Sequence, residues 1–170
     1  MTFKKLSMKG EEFMSRIMRG EREFDRIILK NFDFNSDEQM WNEFQRYLVG
    51  QEFDQDKNRI KIDYAEFENV HASGIYVPFI QAHSATLRNV ALTYTTIMNA
   101  DFWYAKLTNV NFIGAEKKGA RFNDATLKDV KGLDDIIERC GALRVERTNE
   151  LYDHVSFYEK ALSTIRMYFS

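Results

Sequence analysis

The chain has 170 residues, of which 44% are hydrophobic and 29% are charged, and its formal net charge is −2. This length fits one domain, and the near-neutral charge gives no overall attraction to nucleic acid or to an anionic membrane. The one cysteine, Cys140, leaves no internal disulfide and is typical of a reducing cytosol.

The N-terminal segment predicts a helix and no leader. Its first residues, MTFKKLSMKGEEF, are basic without an apolar run, so we predict no signal peptide. No stretch reaches the roughly 18 apolar residues that a membrane span needs. We therefore expect a cytoplasmic protein without membrane contact. Residues 9–19, which include Phe13, Ile17 and Met18, predict a helix that caps the N-terminal end of the fold.

A spacing of five begins shortly after this helix. Phe24, Leu29 and Phe34 lie five positions apart, and Ile27 and Phe32 each stand two positions before the latter two. We interpret this segment as a partial first coil of the repeat that fills residues 60–130.

A second helix is predicted over residues 37–49. Ser36 and Gln39 have the spacing of a capping box, and Gly50 offers an end. The apolar residues at helical spacing are Met40, Trp41, Phe44, Tyr47 and Leu48. We interpret this helix as an insertion between the partial coil and the main repeat.

The main repeat has a period of five. In blocks, residues 60–129 read IKIDY, AEFEN, VHASG, IYVPF, IQAHS, ATLRN, VALTY, TTIMN, ADFWY, AKLTN, VNFIG, AEKKG, ARFND and ATLKD. The first and third letters are apolar in every block except at Thr95 and Lys117. Neither a helix nor a strand has this period, and a short regular period indicates a solenoid.

Several blocks carry the pattern of a known family. ATLRN, ADFWY, AKLTN, ARFND and ATLKD resemble the repeat of the pentapeptide-repeat family, which is roughly A-(D/N)-L-x-x with a central leucine or phenylalanine. The resemblance covers residues 60–130 and extends back toward Phe24. It implies an all-β solenoid, a right-handed quadrilateral β-helix with one block on each side, here with an inserted helix and a C-terminal amphipathic helix.

Four blocks per turn make residues twenty apart neighbours in successive coils, about 4.8 Å away from each other. The central side chains then stack, Ala82 with Phe102 and Phe122, and Ala72 with Leu92 and Phe112. We expect the small central residues to be compensated in volume by bulky first-letter neighbours, because cores conserve volume. Those neighbours are Val70, Ile75 and Ile80.

Two further features of the repeat carry structural predictions. Asn69, Asn89, Asn109 and Asp129 fall at one corner of successive coils, where we expect them to satisfy backbone groups of the turns. Lys117 occupies a central position, and burying an unpaired ammonium is costly. We expect a bulge or loosened turn at AEKKG, with Gly114 and Gly119 at flexible corners; a functional lysine is the alternative.

The last part of the chain predicts another helix. Residues 149–169 carry a heptad-like seam made of Leu151, Val155, Tyr158, Leu162, Ile165 and Phe169. The seam packs either on the chain's own last coil or on a second copy, and the resemblance favours a homodimer through this end. The predicted organisation is a cap with a partial coil (1–35), a helical insertion (36–59), a β-helix (60–132) and a C-terminal cap with helix (133–170), all in one structural domain.

Signals for catalysis are poor. His71, His83 and His154 have no metal-ligand spacing, and Cys140 has no activating neighbour beyond Arg139. Nucleotide-binding and nucleophile-elbow motifs do not occur. We therefore expect no enzyme activity, no cofactor and no metal.

Exposed aromatic residues instead point to binding. We expect the second, fourth and fifth letters of each block to point into solvent. On two adjacent sides these outward letters form a predicted apolar-aromatic patch of Tyr76, Pro78, Phe79, His83, Met98, Trp103 and Tyr104. Such a patch is either covered by one of the chain's own helices or open to a partner.

We therefore expect a non-catalytic scaffold that binds a protein partner of unknown identity. The alternative implied by the resemblance is a DNA-mimicking protein that binds gyrase or another topoisomerase, as in quinolone resistance. Such a mimic needs dense negative charge, whereas residues 60–132 carry eight basic and seven acidic residues. Direct binding of nucleic acid is not predicted.

The predicted dimer has a direct test. Deleting residues 149–170 removes the whole seam, so the shortened chain should be a monomer. Light scattering of the two proteins at equal concentration measures this, and an unchanged dimer mass would refute a C-terminal interface.

Overall fold

A computed structural model describes residues 4–137 and 144–145 of the chain. Its strands are β1 Leu6–Ser7, β2 Ile27–Asp33, β3 Glu66–His71, β4 Thr86–Ala91, β5 Lys106–Asn111, β6 Thr126–Lys128 and β7 Arg144–Val145. Its helices are α1 Gly10–Met18, α2 Glu38–Val49 and α3 Asp134–Ile137. All strands pair in parallel in the order β1 to β7. Each strand therefore belongs to a different coil of one solenoid.

The period of the sequence sets the register of the coils. Glu66 pairs with Thr86, and Thr86 pairs with Lys106, each twenty positions on. Isolated bridges with the same offset join Gln81 to Asp101 and Tyr76 to Thr96 on other sides of the coil. We call the side formed by residues 22–26, 60–64, 80–84, 100–104 and 120–124 the Trp103 face. The side with β2 to β6 is the strand face, and the side formed by 75–79, 95–99 and 115–119 is the Tyr76 face.

The N-terminal helix lies where the sequence predicts it. In α1, Phe13, Met14 and Ile17 are buried, and the Phe13 ring contacts Phe24 edge-on with centroids 4.8 Å apart. The helix thus covers the apolar interior at the first coil, which otherwise ends in exposed backbone edges. Strand β1, which the sequence does not signal, adds two residues to the edge of β2.

The second helix confirms the predicted insertion but not its cap. Helix α2 begins after Asp37, whose side chain accepts a hydrogen bond from the backbone N–H of Met40 at 2.9 Å. The predicted capping box at Ser36 is wrong, because the Ser36 hydroxyl donates to the Asp33 carbonyl at 2.7 Å. Serine and aspartate are both good capping residues. Ser36 is already hydrogen-bonded in the preceding turn, so Asp37, one position later, caps the helix.

The insertion leaves the register of the coils intact. Ile28 pairs with Glu66, 38 positions on instead of twenty, so the extra residues form α2 and the loop after it. Phe44 and Leu48 of α2 are fully buried, and Met40, Trp41 and Tyr47 pack against the same core. The helix therefore takes the place that the Tyr76 face would have in the first coil.

The interior is built as the central letters predict, with one exception. Phe102 and Phe122 stack at 4.9 Å between centroids and 8° between ring planes. Between the N-terminal helices and Phe102, however, lies an apolar cavity of about 60 Å³ whose lining includes Phe34, Ala72 and Leu92. The predicted volume compensation is therefore incomplete, because first-letter side chains at the corners do not fill the axis beside Ala72.

The asparagine corner is confirmed in position, and its hydrogen bonds run between side chains. Asn69 donates to Asn31 at 2.9 Å, Asn89 to Asn69 at 2.8 Å, and Asn109 to Asn89 at 3.0 Å. The backbone there is left-handed, with φ between 51° and 54°, which asparagine tolerates better than most residues. The expected bonds to turn backbone are thus replaced by a ladder along the axis.

The two exceptions to the apolar pattern both keep the register. Thr95 is buried, and its hydroxyl donates to the Leu92 carbonyl at 2.8 Å. Around Lys117 the ladder continues, because Ile97 N–H donates to the Glu116 carbonyl at 2.8 Å and Asn99 N–H to the Lys118 carbonyl at 2.9 Å. The predicted bulge at AEKKG is therefore wrong. The Lys117 side chain is half-buried in a block whose backbone keeps the register of the coils.

The C-terminal predictions lie mostly outside the described residues. Helix α3 buries Ile136, and β7 pairs with β6 through Arg144 and Thr126. The helix over residues 149–169, its seam, Cys140 and His154 fall in the part that the structure does not describe. In the part that it does describe, every helix is too short or too polar to cross a membrane.

The cavity predicts a stabilising substitution. Ala72→Val adds two methyl groups at the wall of the cavity, so the free energy of unfolding should rise by about 1 kcal/mol and Tm by roughly 2–4 °C. Thermal and urea denaturation measure this.

The matched control is Ala105→Val. Ala105 is fully buried and does not line the cavity, so overpacking should lower stability by about 1–3 kcal/mol. Equal losses in both variants would show that the space beside Ala72 cannot take added carbon.

The contact between Lys5 and Glu66 predicts a pH dependence of stability. The Lys5 amine donates to the Glu66 carboxylate at 2.5 Å, and this bond holds the pKa of Glu66 below its ordinary 4.5. A carboxyl group with a lowered folded pKa stabilises the fold above its unfolded pKa and loses that contribution as the pH falls below it. The free energy of unfolding should therefore drop below about pH 4.5.

The test compares urea denaturation at pH 7 and pH 3 for three proteins. Lys5→Met should lower stability at pH 7 and should fall less steeply toward pH 3 than the wild type. Lys118→Met, at an exposed lysine of the Tyr76 face, is the control and should keep the wild-type slope. Equal slopes for all three proteins would exclude a role for the Lys5 contact.

Candidate functional site

The Trp103 face carries a cluster of polar and aromatic side chains. Bridges with the twenty-residue offset join Lys61, Gln81, Asp101 and Arg121 in one column. The second column holds Asp63, His83 and Trp103, and the corner beside it holds Tyr64, Ser84 and Tyr104. Side chains distant in sequence are thus brought together by the register of the coils.

Asp101 is the buried centre of this cluster. The residue is only 6% exposed, and its carboxylate pairs with the Arg121 guanidinium. His83 Nε2 lies 2.8 Å from Asp101 Oδ2 but without the alignment of a hydrogen bond, so this contact is ionic when the imidazole is protonated. Asp101 Oδ1 also accepts the backbone N–H of Trp103 at 3.2 Å. The carboxylate therefore holds three neighbours in place.

A second carboxylate fixes the coil below. Asp63 accepts the Gln81 side-chain amide at 2.5 Å and the backbone N–H of His83 at 2.8 Å. Gln81 is 9% exposed. The expectation that second letters point into solvent is therefore wrong at Gln81 and Asp101, because polar contacts between coils cover them.

Trp103 and Tyr104 form a fixed aromatic pair at the surface. Their rings stack with centroids 5.4 Å apart and planes 7° apart. The indole N–H donates to Asp124 Oδ2 at 3.1 Å, and His83 contacts the indole edge-on at 6.2 Å. Trp103 remains 41% exposed and Tyr104 55% exposed. The pair therefore offers ring surface to solvent while its geometry is held by neighbours.

The rest of the predicted patch lies on the Tyr76 face and is partly covered. Tyr76 is half-buried with its ring 6.2 Å from Phe53, in the loop after α2. Gln45 of α2 donates to the Gly74 carbonyl at 2.6 Å and accepts the N–H of Tyr76 at 3.2 Å. Pro78 is buried, whereas Phe79 and Met98 are half-buried. The structure thus brings together His83, Trp103 and Tyr104, and places Tyr76 under the inserted helix.

The carboxylates of the cluster are committed to partners within the protein. Within the described residues, no group of three His, Cys, Asp or Glu side chains is placed to hold a metal ion. The buried carboxylate is already paired with Arg121, and the cavity beside Ala72 is lined by apolar side chains. These side chains can fix an aromatic surface in position and present charge around it.

Sequence reasoning missed the buried cluster, although the signal was available. The second letters at positions 81, 101 and 121 read Gln, Asp and Arg, so opposite charges fall twenty residues apart. The position of a letter within its block does not reveal this column, because its contacts run between coils. Reading charges at the twenty-residue offset would have paired Asp101 with Arg121.

Comparison with known proteins gives a similarity of structure. The chain is similar to Rfr23, a pentapeptide repeat protein from the cyanobacterium Cyanothece 51142, with a TM-score of 0.57 and 20% identity over 82% of this chain and 97% of that one. It also overlaps full-length QnrB1, a plasmid-mediated fluoroquinolone resistance protein, with a TM-score of 0.31 and 12% identity over 85% of this chain and 82% of that one. No family model and no curated protein matches the sequence.

Proposed function

Because the chain has the pentapeptide-repeat β-helix fold that its sequence pattern implies, we propose that it is a non-catalytic cytoplasmic scaffold that binds a protein partner through the Trp103 face. The observation that carries the proposal is the exposed Trp103–Tyr104 pair, held by Asp101, His83 and Asp124. Tryptophan and tyrosine are the residues in which binding energy concentrates at protein interfaces.

The rigidity of the pair supports this role. Binding normally costs entropy when flexible side chains are immobilised, and a pair already fixed in the free protein avoids part of that cost. Trp103 is fixed on three sides, by the Tyr104 ring, the His83 edge and the Asp124 carboxylate. The surface is therefore preorganised for a partner.

The charge of the strand face argues against the topoisomerase-binding alternative. Its outward residues include basic Lys30, Arg88, Lys106 and Lys128 together with acidic Glu66, Glu68 and Asp129. Lys30 and Glu68 pair with each other at 2.5 Å. A mimic of duplex DNA needs regularly spaced negative charge, which this face does not offer.

Homodimerisation through the seam of residues 149–169 remains part of the proposal. A two-fold contact at the C-terminal end would cover the backbone edge of the last coil and present two Trp103 faces. The size of such an assembly is measured by the deletion experiment above.

The proposal is tested by partner capture. The double variant Trp103→Ser, Tyr104→Ser should lose proteins that the wild type retains in a pull-down with quantitative mass spectrometry, because it removes the exposed rings. Its Tm should stay within a few degrees of the wild type, because both rings lie outside the core.

The matched control is Tyr94→Ser, which removes a 74% exposed tyrosine from another corner of the coil. It should retain the same proteins as the wild type. Identical capture by all three proteins, or a drop in Tm of many degrees in the double variant alone, would contradict a binding role for the Trp103 face.

A further inference from the structure

We propose that the Trp103 face recognises an arginine-bearing segment of its partner, with the guanidinium stacked on Tyr104 and paired with a nearby carboxylate. This inference rests on the proposed function and adds the chemistry of the partner. It is carried by the corner residues of the face, by the charges around them and by one contact within the protein.

The protein already contains this contact at the same corner, two coils before Tyr104. The Arg26 guanidinium lies over the Tyr64 ring, 5.1 Å from its centroid. Arg26 and Tyr64 occupy the same corner in neighbouring coils, since Phe24 N–H bonds to Lys61 O and Arg26 N–H to Asp63 O. The spacing of the coils therefore suits an arginine stacked on a corner tyrosine.

Tyr104 occupies the same corner, and no arginine of the described residues lies over its ring. Its neighbours in the column are Ser84 in the coil before and Asp124 in the coil after. Tyr64 and Tyr104 are two coils apart, roughly 10 Å, with the small Ser84 between them. Because Ser84 is small, ring surface of Tyr104 stays accessible at this corner, in agreement with its 55% exposure.

The charges around the pair favour a cation. Asp63 bonds to the Gln81 amide and a backbone N–H, and Asp124 bonds to the Trp103 indole, all neutral donors. Neighbouring cations are engaged elsewhere, Lys61 with Glu23 at 2.8 Å and Arg121 with Asp101. Asp124 thus borders the aromatic pair, and Asp63 lies two coils before Trp103 in the same column. Within the described residues, neither carboxylate forms an ion pair with a lysine or arginine.

Arginine fits this surface better than lysine does. Its planar guanidinium stacks on an aromatic ring and donates to a carboxylate in the same plane, whereas the ammonium of lysine is a compact and strongly hydrated point charge. A carboxylate beside two stacked rings therefore selects for arginine by shape as well as by charge.

The test uses fluorescently labelled heptapeptides, GRGRGRG, GKGKGKG, GEGEGEG and GLGLGLG, titrated with the full chain and followed by anisotropy. The arginine peptide should bind about tenfold more tightly than the lysine peptide. Tyr104→Ser and, separately, Asp124→Asn should each weaken arginine-peptide binding by about fivefold to tenfold. Asp124→Asn keeps an acceptor oxygen for the indole N–H, so it changes charge without releasing Trp103.

Controls and outcomes separate this inference from the proposed function. Tyr94→Ser should bind the arginine peptide as the wild type does, and circular dichroism should show that every variant is folded. Equal affinity for arginine and lysine peptides, or binding unchanged by both variants, would overturn the inference. A preference for the leucine or glutamate peptide that Tyr104→Ser abolishes would also overturn it, while supporting protein binding at this face. The pull-down with the double variant tests the proposed function independently of any peptide.

Discussion

Every feature of this protein depends on the parallel backbone hydrogen bonds between successive coils. Ile62 N–H donates to the Gln81 carbonyl, Ala82 N–H to Asp101, and Phe102 N–H to Arg121, each at 2.8 Å. Because buried backbone groups must be paired, a shift of one residue would break this ladder along the whole solenoid. The ladder therefore forces side chains twenty residues apart into columns, and the chemistry of each column follows from the residues that share it.

The same columns produce a core, a polar ladder and a surface cluster. Stacked phenylalanines fill one column, asparagines at a left-handed corner bond along another, and opposite charges pair in a third. The first kind supplies the dominant driving force for folding, which is the burial of apolar area. Variation in the outward columns therefore changes the surface without disturbing the coils, which is how a regular rod acquires one distinctive face at Trp103.

The fold was predictable because the period of five leaves few alternatives, and both described long helices were predictable from their apolar spacing. The predictions that the structure contradicts concern finer details. The cap of α2 is Asp37 instead of Ser36, because the Ser36 hydroxyl donates to the Asp33 carbonyl. The cavity beside Ala72 depends on how side chains meet in three dimensions, which column volumes do not give. Part of the site was predictable, because Trp103 and Tyr104 occupy outward letters of their block. The burial of Asp101 depends on contacts between coils, and the cover over Tyr76 depends on the position of α2.

The insertion of α2 bears on the order of folding. Paired residues of β2 and β3 are 38 positions apart instead of the 20 between β3 and β4, and each doubling of loop length costs only about 0.6 kcal/mol in closure entropy. The inserted helix therefore lowers the stability of the folded protein only slightly through loop closure. It does separate the first coil from the uninterrupted ones, and solenoids fold by local nucleation followed by propagation. We expect the coils of residues 60–130 to form first, and the first coil with its two helices to dock onto them afterwards.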